Sequence, residues 1–261
     1  MADNNYTLGR GKVYFSRFKT GTQTPDGFRY LGNTPEFNLN IEQDTLDHYN
    51  SDEGIREKDD SVPLEVNRSG SLITDNISPE NVALFFFGSS TALTQAVVAS
   101  ATEILTGIKA GHTYKLGISA SNPAGYFGID ATGFAVAVSP GGTALVADTD
   151  YTVDLAGGTI TFLEGSLLAI DGEDIDVTYA VAASTRTRVI SGSDPVEGAL
   201  MFVTKNPKGA DCTYFLPYVK LSPNGDYALK GDEWQQIPLS IEVLKPTNAE
   251  AIYRDGVPAY S

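Results

Sequence analysis

Three segments that lie far apart in the sequence alternate apolar and polar residues with a period of two. They are residues 36–42, 62–67 and 237–243. Successive side chains of a β-strand point to opposite faces, so each segment predicts a strand with aliphatic residues buried on one face and Glu, Asn and Ser on the other. Strands this distant in sequence pair only through long-range contacts, and the alternation therefore predicts a mainly-β fold.

Three shorter runs are apolar at nearly every position. They span residues 13–15, 199–203 and 214–216. Runs of this kind are typical of strands that are covered on both faces. We expect them to be the buried partners of the alternating strands.

One helix is marked by its ends. Ser78 is a favourable N-cap, and Pro79 follows at the first helical position, where its missing N–H costs nothing. Residues 84–87 are apolar around the whole axis, and Gly88 is positioned to end the helix. Such a helix has to be covered, either by the strands of its own domain or by a neighbouring subunit.

Charge divides the chain into three parts. Residues 1–103 carry 8 basic and 15 acidic side chains, and residues 186–261 carry 8 and 9. Residues 104–185 hold only Lys109 and Lys115 against nine acids, for a charge of −7. This step in composition predicts that 104–185 is an inserted module whose ends lie close together, within a discontinuous core domain formed by 1–103 and 186–261.

The inserted module is predicted to be all β. Residues 151–155 and 159–162 flank a Gly-containing turn and read as a hairpin, and residues 175–181 form a further strand. Residues 114–118 and 134–138 are additional strand candidates. Short strands at this spacing predict a small Ig-like β-sandwich.

The chemistry of the chain excludes several function classes. A net charge of −15 argues against a protein that grips nucleic acid through its phosphates. No apolar run reaches the roughly 20 residues of a membrane-spanning helix. His48, His112 and Cys212 are too few for a zinc centre, and neither histidine lies in a nucleophile motif. We therefore predict no enzyme activity, cofactor or metal, and no membrane partner.

Two acidic alternatives stay open. Asp148 with Asp150, and residues 171–176, bring hard oxygen ligands together in loops, as in weak calcium sites, although neither has the spacing of an EF-hand. The 33 acidic residues also offer carboxylate pairs of the kind that hydrolyse glycosides. The only tryptophan, Trp234, is interpreted as a packing residue rather than a sugar platform.

A long charged connection joins the first two alternating strands. Residues 43–61 contain seven acids together with Arg56 and Lys58, and Leu46, Tyr49 and Ile55 supply apolar anchors. Loops longer than about 12–15 residues are usually functional or disordered. We predict a long loop that projects as an arm and docks onto another protein surface, with a solvated loop as the alternative.

The order of these features suggests a family. It consists of polar-faced strands, a long charged connection, a capped apolar helix and closing strands, carried by residues 30–37, 46–49, 54–61, 64–66, 78–88 and 234–244. In this respect the chain resembles the major tail tube protein of long, non-contractile-tailed (siphovirus-type) bacteriophages. The resemblance covers about 1–90 and 195–261, and no single motif in it is diagnostic.

The resemblance implies a tail-tube-type β-sandwich or barrel with one flanking α-helix, in which six subunits close a ring around a channel. Rings would stack through the loop 43–61, and the inserted module 104–185 would lie on the outer surface. The inter-ring residues carried over by the resemblance are Asp44, Asp47, His48, Tyr49, Asp52, Glu53, Arg56, Glu57, Lys58, Asp59 and Asp60. The candidates for the channel wall are Glu36, Asn38, Asn40, Glu42, Glu65, Asn67, Ser240 and Glu242.

The resemblance also implies partners and a location. Double-stranded DNA would pass through the channel without specific binding, because a wall of Glu, Asn and Ser offers no anchor for phosphate. The other partners would be further copies of the chain, a tape measure protein, a tail terminator and tail tip proteins. The protein would be assembled in the bacterial host cytoplasm and would end in the virion tail. The alternatives are a carbohydrate- or protein-binding β-sandwich module and a secretion-tube homologue.

Overall fold

The computed structural model describes residues 6–52 and 54–257, and it confirms the mainly-β fold with one helix. In chain order the elements are β1 (Gly11–Arg17), β2 (Arg29–Tyr30), β3 (Glu36–Asn50), β4 (Glu57–Thr74), α1 (Pro79–Phe85), β5 (Ser89–Gln95), β6 (Val98–Leu105), β7 (Thr113–Lys115), β8 (Ile129–Val138), β9 (Tyr151–Asp154), β10 (Thr159–Phe162), β11 (Ile175–Val181), β12 (Ser184–Ile190), β13 (Val196–Thr204), β14 (Cys212–Pro223), β15 (Ile237–Val243) and β16 (Tyr253–Gly256).

The chain divides into two compact units. The first comprises the described residues up to Thr91 together with those from Arg188 onward, and the second is Ala92–Thr187. Strands β5 and β12 pair with each other where the chain passes from one unit to the other. The second unit begins 12 residues earlier than the insertion expected at 104, because β6 pairs with β11 and so belongs to it.

The first unit contains an antiparallel sheet in the order β2-β1-β13-β14-β15-β4-β3, with β16 paired to β14. All the strands predicted for this part of the chain are present. The alternation of buried and accessible residues predicted for β15 is observed along the whole strand. Its buried residues are Ile237, Leu239, Ile241 and Val243, and the residues between them are not buried. These side chains join Leu72 and others in one apolar core.

The helix starts as predicted and ends differently. The Ser78 hydroxyl accepts a hydrogen bond from the backbone N–H of Asn81. At the other end Phe87, not Gly88, takes the left-handed conformation, with φ of 53°. Gly88 is required for another reason: a Cβ there would lie 1.7 Å from the backbone oxygen of Ile190. The helix packs against β14 and β15, so strands of its own unit cover it.

The second unit consists of two three-stranded antiparallel sheets, β7-β10-β9 and β6-β11-β8. Both sheets contribute to one apolar core, which includes Ile160 and Phe162 from the first and Ile175 and Val177 from the second. The predicted hairpin of β9 and β10 and the strand β11 are present. The unit is thus a small six-stranded β-sandwich with a core of its own.

The expectation of a long loop over residues 43–61 is wrong. Residues 36–50 and 57–74 pair as one antiparallel hairpin, and only residues 51–56 connect them. The pairing is irregular at Asp44/Thr45 and at His48/Tyr49, and at each point the extra residue belongs to β4: it is Leu64 at the first and Asp59 at the second. A bulge shifts which side chains share a face, so the period of two that marks a strand is interrupted in the sequence.

Candidate functional site

The hairpin of β3 and β4 extends far beyond the sheet that anchors it. Strand β15 pairs with β4 only as far as Ser69, which lies opposite Glu242 on one side and Asn40 on the other. Beyond that row the two strands pair only with each other among the described residues. We call residues 41–68 the hairpin arm.

The arm exposes large apolar side chains. The alternation predicted burial for some of them, namely Ile41, Val62, Leu64 and Val66, whereas Leu46, Tyr49 and Ile55 were expected to be anchors for docking onto another protein surface. The exposed members are Ile41, Leu46, Tyr49, Ile55, Val62, Leu64 and Val66. Ile41, Leu46 and Leu64 are each about three-fifths exposed, at 60%, 63% and 62%. The prediction of burial fails here because the hairpin runs past the end of β15. The apolar face that begins in the core therefore continues into solvent at Ile41 and Val66, whereas Leu46 and Val62, which are opposite each other, lie on the face of Asn40 and Glu42.

Ion pairs tie the two strands of the arm together. The Lys58 ammonium lies 2.6 Å from a carboxylate oxygen of Asp47, which also accepts a hydrogen bond of 2.8 Å from the Ser61 hydroxyl. The Lys58 contact, followed by that of Ser61, lowers the pKa of Asp47 below its ordinary value. His48 Nδ1 lies 2.5 Å from an oxygen of Asp59, and this hydrogen bond raises the pKa of His48.

The predicted inter-ring residues all fall on the arm, but as strand residues rather than loop residues, except at the turn. Asp52 and Arg56 belong to the turn, where the Arg56 guanidinium lies 5.2 Å from the centre of the Tyr49 ring. Glu53 lies outside the described residues. The remaining members, on β3 and β4, are Asp44, Asp47, His48, Tyr49, Glu57, Lys58, Asp59 and Asp60. Their contact with another ring stays a prediction.

The predicted channel-wall residues lie on one continuous polar face. Asn38 is opposite Ser71, which is opposite Ser240, and the next row of the same face joins Asn40, Ser69 and Glu242. Residues directly opposite each other in a sheet share a face. By the same rule Glu42 shares this face with Asn67, and Asp44 with Glu65, while Glu36 joins it by alternation along β3. That this face lines a channel stays a prediction.

The acidic loops proposed as calcium sites have a structural role. Asp150 is buried, and its carboxylate accepts hydrogen bonds from the Val146 N–H and the Ser166 hydroxyl. Asp171 and Asp174 accept backbone N–H groups of the 107–110 loop, at 2.9 Å and 2.7 Å. Within residues 6–52 and 54–257, no group of three or more His, Cys, Asp or Glu side chains is arranged to hold a metal ion.

Trp234 is not a packing residue, contrary to the sequence interpretation. Its side chain is 93% exposed and borders a cavity of about 520 Å³. Asp226, Asp232, Glu233 and Gln235 also line this cavity. The indole therefore lies on the surface beside carboxylates and amides and makes no core contact.

A second cavity, of about 350 Å³, contains two arginines that the sequence did not single out. Burial lowers the pKa of both Arg17 and Arg29. Arg17 donates to the backbone oxygen of Gly88 at 2.7 Å, and Arg29 donates to the side-chain oxygen of Asn81 at 2.8 Å. Arg29 thus holds α1 in place, and Arg17 holds the segment that follows it.

The comparison with protein families identifies the chain at the level of a family. The sequence model of a family described as "protein of unknown function UCP028589" matches residues 6–252. The chain belongs to this family. The match to UCP028589 spans both units of the chain. No curated protein matches the chain.

The description of the UCP028589 family assigns no activity, and the function therefore has to be argued from the surface of the molecule. In the described part of the chain, no helix has the length and apolar character needed to cross a membrane. The features that distinguish this surface are the apolar hairpin arm, the polar face beside it and the exposed Trp234.

Proposed function

We propose that this chain is a structural subunit that assembles with further copies of itself, in the manner of the major tail tube protein of long-tailed bacteriophages. The observation that carries the proposal is the hairpin arm, whose seven exposed apolar side chains have no cover within the described chain. Burying a Leu, Ile or Val side chain contributes about 1.5–3 kcal/mol. A long antiparallel hairpin with this apolar content is suited to burial in an interface.

The edge of the sheet supports the same proposal. Strand β3 is the last strand in the sheet order, and its outer edge has no partner strand among the described residues. An exposed strand edge tends to pair with another chain. Joining one edge of a sheet to a different edge of the next copy is a heterologous contact, and such contacts form a ring when the rotation between copies closes. Six copies would form one ring of the proposed tube.

The polar face would line the channel of the proposed ring. This face presents hydrogen-bond acceptors and small dipoles, from Glu42, Glu242 and the Asn and Ser residues between them. The next position of the face is a cation, Lys220, whose ammonium lies 3.5 Å from a carboxylate oxygen of Glu197 and is therefore already paired. A surface of this kind offers little to bind a phosphate backbone. Double-stranded DNA would slide through such a channel during genome ejection.

The proposal includes no catalytic step and no cofactor. In a phage tail the tube subunit would contact its own copies, a tape measure protein, a tail terminator and tail tip proteins. It would be assembled in the bacterial host cytoplasm and would function in the virion.

A carbohydrate-binding module is the second candidate, and Trp234 favours it. Its almost fully exposed indole stands beside Asp226, Asp232 and Glu233 at the cavity of about 520 Å³. Binding sites for small polar ligands combine an aromatic surface with a few oriented polar groups. Glycan binding that Trp234→Ala abolishes, by a protein that stays monomeric, would favour this candidate over the tube.

A shortened hairpin tests the tube proposal. Leu46 and Val62 lie directly opposite each other, so residues 47–61 are replaced by a two-residue Asn-Gly turn that preserves the register. We expect the variant to stay folded but to sediment as a monomer at concentrations where the unaltered chain forms rings or filaments. Leu167→Ser, which changes a side chain 90% exposed in the second unit, is the matched control and should assemble normally. Normal assembly of the shortened chain would contradict the proposal.

A further inference from the structure

The hairpin arm carries carboxylates that have no cation to balance them. The arm contains nine acidic and three basic residues, for a formal charge of −6. Asp44 and Glu65 are directly opposite each other on its two strands. Like charges at opposed positions destabilise a sheet, and neither carboxylate has a salt-bridge partner among the described residues. The pair indicates a cationic surface on whatever covers the arm.

A basic surface of matching character lies where β1 begins and β13 ends. The backbone N–H of Lys205 donates to the oxygen of Arg10 at 2.7 Å, and Leu8 forms an isolated bridge with Lys208. Lys12 is the second residue of β1. We call these residues, with Tyr6, the basic patch: Tyr6, Leu8, Arg10, Lys12, Lys205 and Lys208.

The basic patch is exposed and mixes charge with apolar surface, as the arm does. All six members are exposed, and the Lys208 ammonium lies 5.4 Å from the centre of the Tyr6 ring. Asp211 is the acid beside the patch, 3.4 Å from the Lys205 ammonium. Arg10, Lys12 and Lys208 have no salt-bridge partner within residues 6–52 and 54–257.

The register of the sheet places the basic patch and the arm at the same end of the strands. One row of opposed residues crosses the sheet through Asn40, Ser69, Glu242, Lys220 and Glu197. From this row the arm projects along β3 toward Asp44, four residues on. The backbone N–H of Phe18 donates to the backbone oxygen of Glu197, so Phe18 continues this row next to β1. Followed backward in sequence from Phe18, β1 runs in the same spatial direction as the arm and reaches Lys12 after six residues. Asp44 and Lys12 are therefore nearly level along the strands.

The strand order separates the two surfaces across the sheet. The arm belongs to β3 and β4 at one end of the order, and the basic patch belongs to β1 and β13 near the other. A neighbouring copy placed side by side in the same orientation would bring its patch level with the arm of the first. We infer that the basic patch receives the hairpin arm of the laterally adjacent copy, with the Asp44–Glu65 pair against Lys12 and Lys208; this inference rests on the self-assembly proposed above.

The lateral contact specifies how the ring closes. A head-to-tail contact uses two different surfaces on each copy, so every subunit in a ring gives its arm to one neighbour and receives the arm of the other. Because the contact joins charges near the surface, it weakens as salt screens them. Ring formation should therefore require a higher protein concentration at high ionic strength.

Charge reversal with cross-mixing tests the inference. One variant, Lys12→Glu/Lys208→Glu, reverses the two lysines of the patch that would face the acidic pair, and another, Asp44→Lys/Glu65→Lys, reverses the acidic pair itself. Each alone brings like charges together and should not form rings, as measured by solution mass and negative-stain electron microscopy. In an equal mixture every arm meets an opposite charge on the alternate subunit, so even-numbered rings should form again. Lys109→Glu/Lys230→Glu makes the same charge change at exposed sites outside the patch and should assemble as the unaltered chain does.

The outcomes separate this inference from the proposed function. If the unaltered chain assembles and either charge variant assembles equally well, the inference is overturned and the proposed function stands. If the patch variant forms rings that fail to stack, the contact lies between rings and the lateral placement is overturned. If both variants fail alone and their mixture also fails, the pairing of these two surfaces is overturned. An unaltered chain that never associates contradicts both proposals.

Discussion

At the scale of single residues, two kinds of polar side chain have opposite roles in this protein. Asn81 is fully buried and joins separate segments: its amide nitrogen donates to the backbone oxygens of Leu31 and Asn76, at 2.7 and 2.8 Å, and its oxygen accepts from Arg29. The charged pairs of the arm are exposed instead. Buried hydrogen bonds of this kind stabilise the fold, whereas exposed pairs set local order and the choice of partner.

The first residue-scale prediction concerns Asn81. Replacing Asn81 by Ala removes its hydrogen bonds to the backbone oxygens of Leu31 and Asn76 and takes an acceptor from the guanidinium of Arg29, although Leu31 keeps the donors of Thr74 and Asn76. We expect the free energy of unfolding of the first unit to fall by about 2–3 kcal/mol, as measured by denaturant unfolding. Asn40→Ala, at an exposed site, should change it little. Equal stability of the two variants would show that Asn81 does not hold these segments together.

The second residue-scale prediction concerns pH. Because its hydrogen bond with Asp59 raises the pKa of His48 above the ordinary 6.5, the stabilising contact is fully present below pH 6.5 and is lost as pH rises through the raised value. Titration of the His48 ring by NMR should give a pKa above 6.5, and Asp59→Asn should lower it. A midpoint unchanged by Asp59→Asn would contradict the pairing.

At the scale of elements, the sequence predicted the strands of the core and missed the nature of the arm. The alternation of β15 is uninterrupted, so both its existence and its buried face could be predicted. In the arm, bulges at Leu64 and Asp59 interrupt the alternation of β4, and the many charged residues of 44–60 resemble a loop. The exposure of Ile41 depends on where β15 stops pairing, and no local pattern encodes that. The exposure of Trp234 likewise depends on packing and not on its neighbours in sequence.

The element-scale prediction concerns an exposed apolar pair of the arm. Leu46→Ser/Val62→Ser replaces an opposed apolar pair that is exposed in the isolated chain. We expect little change in the free energy of unfolding, because neither side chain is buried in the isolated chain. The concentration at half-assembly should rise at least tenfold, because each side chain buried in an interface contributes about 1.5–3 kcal/mol that the variant loses. Analytical ultracentrifugation measures the second quantity. Unchanged assembly would mean that the pair stays exposed in the oligomer.

At the scale of the whole molecule, the chain consists of two units with separate cores. The break in composition indicated an insertion, but its first strand, β6, precedes the acid-rich segment and was assigned to the core domain. Within the first unit, the segments that flank the insertion meet: the N–H of Gly192 donates to the oxygen of Phe86 at 2.9 Å. The second unit is therefore joined to a scaffold that is already closed without it.

Removal of the second unit tests this organisation. Replacing residues 92–187 by a short Gly-Ser linker should leave a soluble first unit that unfolds in a single cooperative transition. Deletion of 104–185 is the matched control, and it should be less stable because β6 loses β11. Circular dichroism during thermal unfolding measures both variants. A first unit that is insoluble without residues 92–187 would show that its core is not self-sufficient.

The central claim is that this chain assembles with its own copies into rings around a channel. The most direct measurement is negative-stain electron microscopy of the purified chain at rising concentration, with its solution mass determined in parallel. The account predicts rings or tubes with a central channel wide enough for duplex DNA, and a mass that rises in multiples of the 27.8 kDa subunit. A chain that stays a monomer at every concentration, with or without preformed tubes to nucleate its assembly, would contradict it.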